Sequence, residues 1–133
     1  MKTLTIILTV VTVLSFKANS TMDSNDLENP FIGSWALVKG DGKEVPEEII
    51  WTFGKDSVQV MTLSGTYSFN SKISPKQIDI ILPGAPANPN SAIYDFPNET
   101  TMVLKLMDSE AVPRAATFEI EKGYDLLEFN KKP

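Results

Sequence analysis

Between Ser34 and Asn130 apolar and polar residues alternate with a period of two, the spacing of strands with one face in a core and one in water. The pattern predicts strands over Ser34–Lys39, Ile49–Phe53, Ser57–Leu63, Thr66–Lys72, Gln77–Leu82, Ala92–Phe96, Thr101–Met107, Thr117–Lys122 and Tyr124–Asn130. Most are rich in β-branched and aromatic residues, which fit a pleated surface. Turn chemistry falls between them. Gly40-Asp41-Gly42 ends the first strand, and Gly54-Lys55-Asp56, Ser64-Gly65, Ser74-Pro75-Lys76, Pro97-Asn98-Glu99 and Lys122-Gly123 read as further connections. Pro46-Glu47-Glu48 reads as a helical turn, with proline first and acids near its start. Pro83–Asn90, with three prolines and a glycine, reads as an irregular loop. Short strands joined by tight turns pair antiparallel, and eight or nine of them suit a closed barrel or a sandwich.

The alternation sorts the two faces. One phase carries Trp35, Leu37, Trp51, Phe53, Val58, Val60, Tyr67, Phe69, Ile78, Ile80 and Leu82. It continues with Tyr94, Phe96, Leu104, Leu106, Phe118, Ile120, Leu127 and Phe129. This set bears no charge and is the expected interior. The opposite phase, with Thr52, Gln59, Ser68, Asp79, Asp95, Lys105, Glu119, Glu121 and Glu128, is the expected solvent face. Some outward positions are apolar: Val38, Ile50, Met61, Leu63, Ile81, Val103 and Leu126. They lie under the N-terminal segment, form a contact surface or are scattered exposure.

Upstream of the strands the pattern changes. Leu4 to Leu14 is apolar apart from threonines, Lys2 precedes it, and Ala18-Asn19-Ser20 supplies small residues at a cleavage position. Residues 1–20 therefore read as a signal peptide cut after Ser20, since the run is too short to span a bilayer. The protein is expected to be exported, periplasmic or extracellular, with no membrane span after processing. Residues 21–32 form an N-terminal segment, where Ser24 caps a short helical turn through Asp26, Leu27 and Glu28. The barrel is expected over 33–133.

Composition narrows the chemistry. The chain has 133 residues and neither cysteine nor histidine. A core, not disulfides, must hold the domain together. Thiol nucleophiles, histidine bases and the usual zinc ligands are excluded. Loss of Lys2 and Lys17 with the signal peptide leaves a net charge of −7, the wrong sign for nucleic acid or an anionic membrane.

Gly33-Ser34-Trp35 at the start of the first strand resembles the Gly-x-Trp signature of lipocalin-like barrels. It stands in a longer order: Phe31-Ile32 before it, then Asp41-Gly42-Lys43, Pro46-Glu47-Glu48, Gly65-Thr66-Tyr67, Pro75-Lys76-Gln77-Ile78-Asp79-Ile80 and Ala92-Ile93-Tyr94. That order, over about residues 27–131, resembles a bacterial family of uncharacterised lipocalin-like domains common in planctomycetes. The resemblance implies an all-β fold, a small antiparallel up-and-down β-barrel of eight to nine strands, and gives no activity. Lipocalins usually lay an arginine from the last strand over the motif tryptophan. Here Lys131 and Lys132 stand in that place, so only a lysine can approach Trp35.

Candidate site residues each have a plainer alternative. Trp35 floors a ligand cavity or plugs the closed end as core. Trp51, Tyr67 and Tyr94 line a pocket, their polar atoms orienting a ligand, or are ordinary core. Arg114, the one arginine, lies in a loop read as sitting at a barrel mouth, where it holds a carboxylate or phosphate or is a solvated charge. Asp108 and Glu110 do not match a calcium loop. Asp79 and Asp95 read as solvating charges, and Asn98-Glu99-Thr100 as an accidental glycosylation match. No catalytic residue, metal site or cofactor is expected. The sequence points to an exported barrel, not an enzyme, that binds a small apolar ligand. The alternative is a protein-interaction or inhibitor domain acting through its outer surface and loops.

Overall fold

The first hairpin shows why this chain turns where it does. Asp41 and Gly42 both take left-handed φ values, 51° and 79°, as a two-residue connection between twisted antiparallel strands requires. They join β1 (Gly33–Gly40) to β2 (Lys43–Phe53). There follow β3 (Ser57–Val60), β4 (Leu63–Asn70), β5 (Gln77–Ile81), β6 (Asn90–Asn98), β7 (Thr101–Met107) and β8 (Tyr124–Lys131). The computed structural model describes residues 29–133, and Phe31–Pro133 form one unit. The expected signal peptide and the helical turn after Ser24 lie outside the described residues. Each strand pairs antiparallel with the next, and β8 returns to β1, so the sheet closes into an eight-stranded up-and-down barrel of the lipocalin-like kind.

Four local expectations are corrected. Pro46-Glu47-Glu48 is not a helical turn but part of β2, which bulges there. Register runs from Lys39↔Glu44 to Leu37↔Ile49, leaving Val45–Glu48 without partners on β1. Proline is tolerated because no ladder donor is needed at a bulge. The β3–β4 turn is Met61-Thr62, not Ser64-Gly65, as shown by Val60 pairing with Leu63. Met61 takes a left-handed φ of 58°, unusual for a side chain of this kind. Gly65 instead lies within β4, where a Cβ would collide with the carbonyl oxygen of Ile81 on the neighbouring strand. The segment Thr117–Lys122 is not a strand. It belongs to a long irregular connection, 108–123, so Phe118 is half-buried and Ile120 exposed, not interior. Leu63, read as outward, packs against the core.

The interior otherwise follows the inward phase. Trp35, Trp51, Phe53, Val58, Tyr67, Ile78, Ile80, Leu82, Tyr94, Leu104 and Phe129 are buried. One large side chain comes from outside the strands. Phe31 precedes β1, yet it is wholly buried, with its ring 4.8–5.5 Å from those of Phe53, Tyr67, Phe69, Tyr94 and Phe96. Full burial of one such side chain stabilises by about 1.5–3 kcal/mol. Well-oriented aromatic pairs add about 0.5–1.5 kcal/mol each.

Gly65→Ala is expected to destabilise the barrel by about 1–3 kcal/mol or more, because a strand backbone would have to move. Gly40→Ala, whose Cβ would meet Leu127 at an ordinary 3.8 Å, is the control and should change stability by less than about 1 kcal/mol. Urea denaturation of both variants measures the difference.

Candidate functional site

The Gly-x-Trp motif acts at the barrel end where the chain enters. Trp35 is fully buried, and its indole Nε1 donates to the carbonyl of Phe31 at 2.9 Å. The ammonium of Lys131 lies 5.6 Å from the centre of its ring. Gly33 has a φ of 132°, and a Cβ there would press against the Lys131 stem at 3.3 Å. Glycine thus lets the lysine cross to the tryptophan, a cation–π contact in the place where lipocalins carry an arginine.

The structure brings Trp35, Trp51, Tyr67 and Tyr94 together in the core, as neighbours of packed rings. Trp51 sits edge-on to Phe129, with ring centres 5.2 Å apart. The Tyr67 hydroxyl donates to the Gly54 carbonyl at 2.6 Å, so its polar atom ties down the β2–β3 turn. Tyr94 differs. Its hydroxyl has no hydrogen-bond partner among the described residues, and burial pushes its pKa up to about 12.

Arg114 is not at a barrel mouth. Its guanidinium lies on the outer wall, donating to the Ala92 carbonyl at 2.7 Å and to Asp79 Oδ1 at 2.6 Å. A longer bond reaches the Ile78 carbonyl at 3.4 Å. Its donors are committed to β5 and β6. A second cation does the same work and was missed in the sequence. Lys105, read as a solvent-face residue, is fully buried. Its Nζ donates to the carbonyls of Thr117 and Glu119 and pairs with Glu121 at 2.7 Å, and it stands 5.1 Å from the centre of the Tyr124 ring. The connection 108–123 is therefore a strap over the outer wall, where Ile93, the register partner of Lys105, is fully buried as well. The usable signal was an outward lysine beside an outward isoleucine, followed by a connection too long for a hairpin.

Opposite the Trp35 end, the interior is looser. Leu37, Ile49, Val60, Leu63, Leu106 and Leu127 are half-buried against the core. Here the inward phase is not free of charge: Asp125 pairs in register with Leu106. Its pKa is raised first by desolvation and then by the carboxylates of Asp41 and Asp108.

The outer wall is least regular at β2. Only its last three residues, Trp51–Phe53, pair with β3, so among the described residues Lys43–Ile50 have no neighbour on that side. Two open depressions flank this stretch. One, of about 370 Å³, is lined by Glu48, Ile49, Ile50, Thr52, Gln59 and Met61. The other, of about 500 Å³, follows the bulge between β1 and β2, and Glu48 borders both. Met61 is 66% exposed. Among the described residues no group of three or more acidic side chains is placed to hold a metal ion. No family model, curated protein or solved structure matches the chain.

The orphaned Tyr94 hydroxyl gives a pH prediction. A tyrosine with a folded pKa near 12, against 10 for the free group, contributes stability that is complete below pH 10. That contribution disappears as pH rises from 10 towards 12. Tyr94→Phe is expected to leave the protein at least as stable at pH 7, because it removes an unmet polar group. It should also flatten the alkaline loss. Denaturation of both forms at pH 7, 10 and 11.5 checks both points, with phenolate absorbance following the ionisation.

Proposed function

We propose that this barrel is an exported protein-interaction module that works through its outer surface, not an enzyme and not a carrier of ligands in its interior. The observation that carries this reading is Phe31. A lipocalin-like barrel that carries a ligand leaves its centre open, whereas here the chain's own phenylalanine occupies the centre among five aromatic rings. An eight-stranded barrel is just wide enough for side chains to fill it or for one small ligand to enter. Two of the polar candidates are occupied as well: Arg114 by β5 and β6, Tyr67 by Gly54. The lysine over Trp35 and the up-and-down closure support kinship with the lipocalin-like domains that the motifs resemble, and fold alone does not carry their function over.

The rival reading, a small apolar ligand, has to use the half-buried aliphatic end around Leu37, Leu106 and Leu127. Titration with a fluorescent fatty acid and with a neutral apolar dye separates the two. Neither probe is expected to bind the native chain. Phe31→Ala is expected to lose about 3–5 kcal/mol of stability and to gain binding of the neutral dye in the space it opens. Stoichiometric binding of either probe to the native chain would return the function to ligand carriage. For export, the intact mass of protein recovered outside the cytoplasm should correspond to a chain beginning at Thr21.

A further inference from the structure

We propose that the edge of β2 over Glu47–Ile50, unpaired among the described residues, is the docking site for a basic, extended segment of another protein, which adds there as a short strand. This rests on the interaction reading above and names the surface and the partner's chemistry.

The wall is cut short at this point. β3 ends at Val60 and the chain turns back at Met61, while β2 runs on beside β1 for eight residues towards the β1–β2 turn, with no described strand on its other side. Backbone donors and acceptors on an unpaired strand edge can hydrogen-bond an incoming chain in extended form. The groove beside the edge is apolar at its floor and acidic at its rim. Ile50 and the exposed Met61 line it, and a methionine side chain adapts to varied partners. Glu48 lines the same groove, and Glu44 and Glu47, on the same strand, line the neighbouring depression on the β1 side and add to the local negative charge. Neither Glu44 nor Glu47 has an ion pair among the described residues, and Glu48 has only the exposed Lys132, 3.0 Å away. Ile49 faces inward beneath the edge, beside Leu37.

Charge selects among the possible occupants. A second copy pairing edge to edge would set Glu44, Glu47 and Glu48 against the same three acids, and Pro46 would withhold a donor from each strand. The chain's own residues 21–28 carry Asp23, Asp26 and Glu28 and no basic residue, so they too would bring like charge. A segment alternating basic and apolar residues meets both requirements. Its apolar side chains turn inward over Ile49. Its lysine or arginine stems cover Ile50 and Met61, and their charges reach Glu48.

The test uses the whole purified chain and a synthetic octapeptide alternating lysine and valine. Two controls accompany it: a glutamate–valine peptide, and the lysine–valine peptide N-methylated at every amide so that neither of its edges can donate to a ladder. Amide NMR shifts are expected to cluster at Glu47–Ile50 and Met61. Each control should bind at least about tenfold more weakly. So should the lysine–valine peptide against a Glu47→Lys, Glu48→Lys variant, whose changes lie on exposed positions. Equal binding by the N-methylated peptide, shifts spread over the acidic surface, or no binding at millimolar peptide would each overturn the edge site. The interaction reading fails by a different sign, stoichiometric uptake of an apolar probe by the native chain.

Discussion

The clasp between Phe31 and Trp35 holds one end of this barrel. The indole nitrogen bonds the Phe31 carbonyl, and that bond fixes the backbone that delivers the Phe31 ring to the barrel centre. The strands alone supply a tube lined with aromatic and aliphatic side chains. Protein interiors pack as densely as organic crystals, so a tube of this width needs material along its axis. Phe31 provides it, and Lys131 from the last strand covers the tryptophan from above, over a glycine that makes room. The first and last strands are thus joined by side chains as well as by their backbone ladder.

The outer wall has its own organisation. Lys105, which a two-residue period assigns to water, and Arg114, read as a loop residue at a barrel mouth, are both turned to structural use. Lys105 gathers two carbonyls and a carboxylate from the strap, and Arg114 reaches from the strap to two strand carbonyls and Asp79. A buried ammonium is costly unless its donors are satisfied, and Lys105 has three hydrogen-bond acceptors and an aromatic ring around it. One side of the barrel is consequently double-walled, from β5 round to β8. Among the described residues the β1–β3 side is single-walled and interrupted, and the two open depressions lie there.

Much of this was legible in the sequence, because a period of two constrains each strand separately. Five strands, β1 and β5 to β8, fall within two residues of where alternation and turn residues put them, and the number of strands and their tight connections suit a closed barrel or a sandwich, of which the barrel is found. β2 was read too short because Pro46 and two acids imitate a helix start, a local signal that the bulge overrides. The β3–β4 turn was misplaced because glycine is the usual turn residue. Here glycine was required by a neighbouring carbonyl, and a methionine took the left-handed position. Thr117–Lys122 alternates like a strand, yet its carbonyls face Lys105 instead of a ladder. Phe31 could not be placed, since periodicity says nothing about a residue upstream of the first strand. The candidate aromatics were read correctly as inward. Packed core was the plainer of their two readings, and what the sequence left open was which residue fills the axis between them.

The strand order has a temporal consequence. Seven of the eight interfaces join neighbours along the chain and can form as soon as both strands exist, at a small loop-closure cost. The eighth, β1 with β8, joins residues nearly a hundred positions apart, such as Trp35 and Lys131. A chain emerging from its N-terminus must therefore hold Trp35 and its neighbours in a curved, unclosed sheet until its final residues arrive. The part of the protein with the most aromatic surface is synthesised first and sealed last.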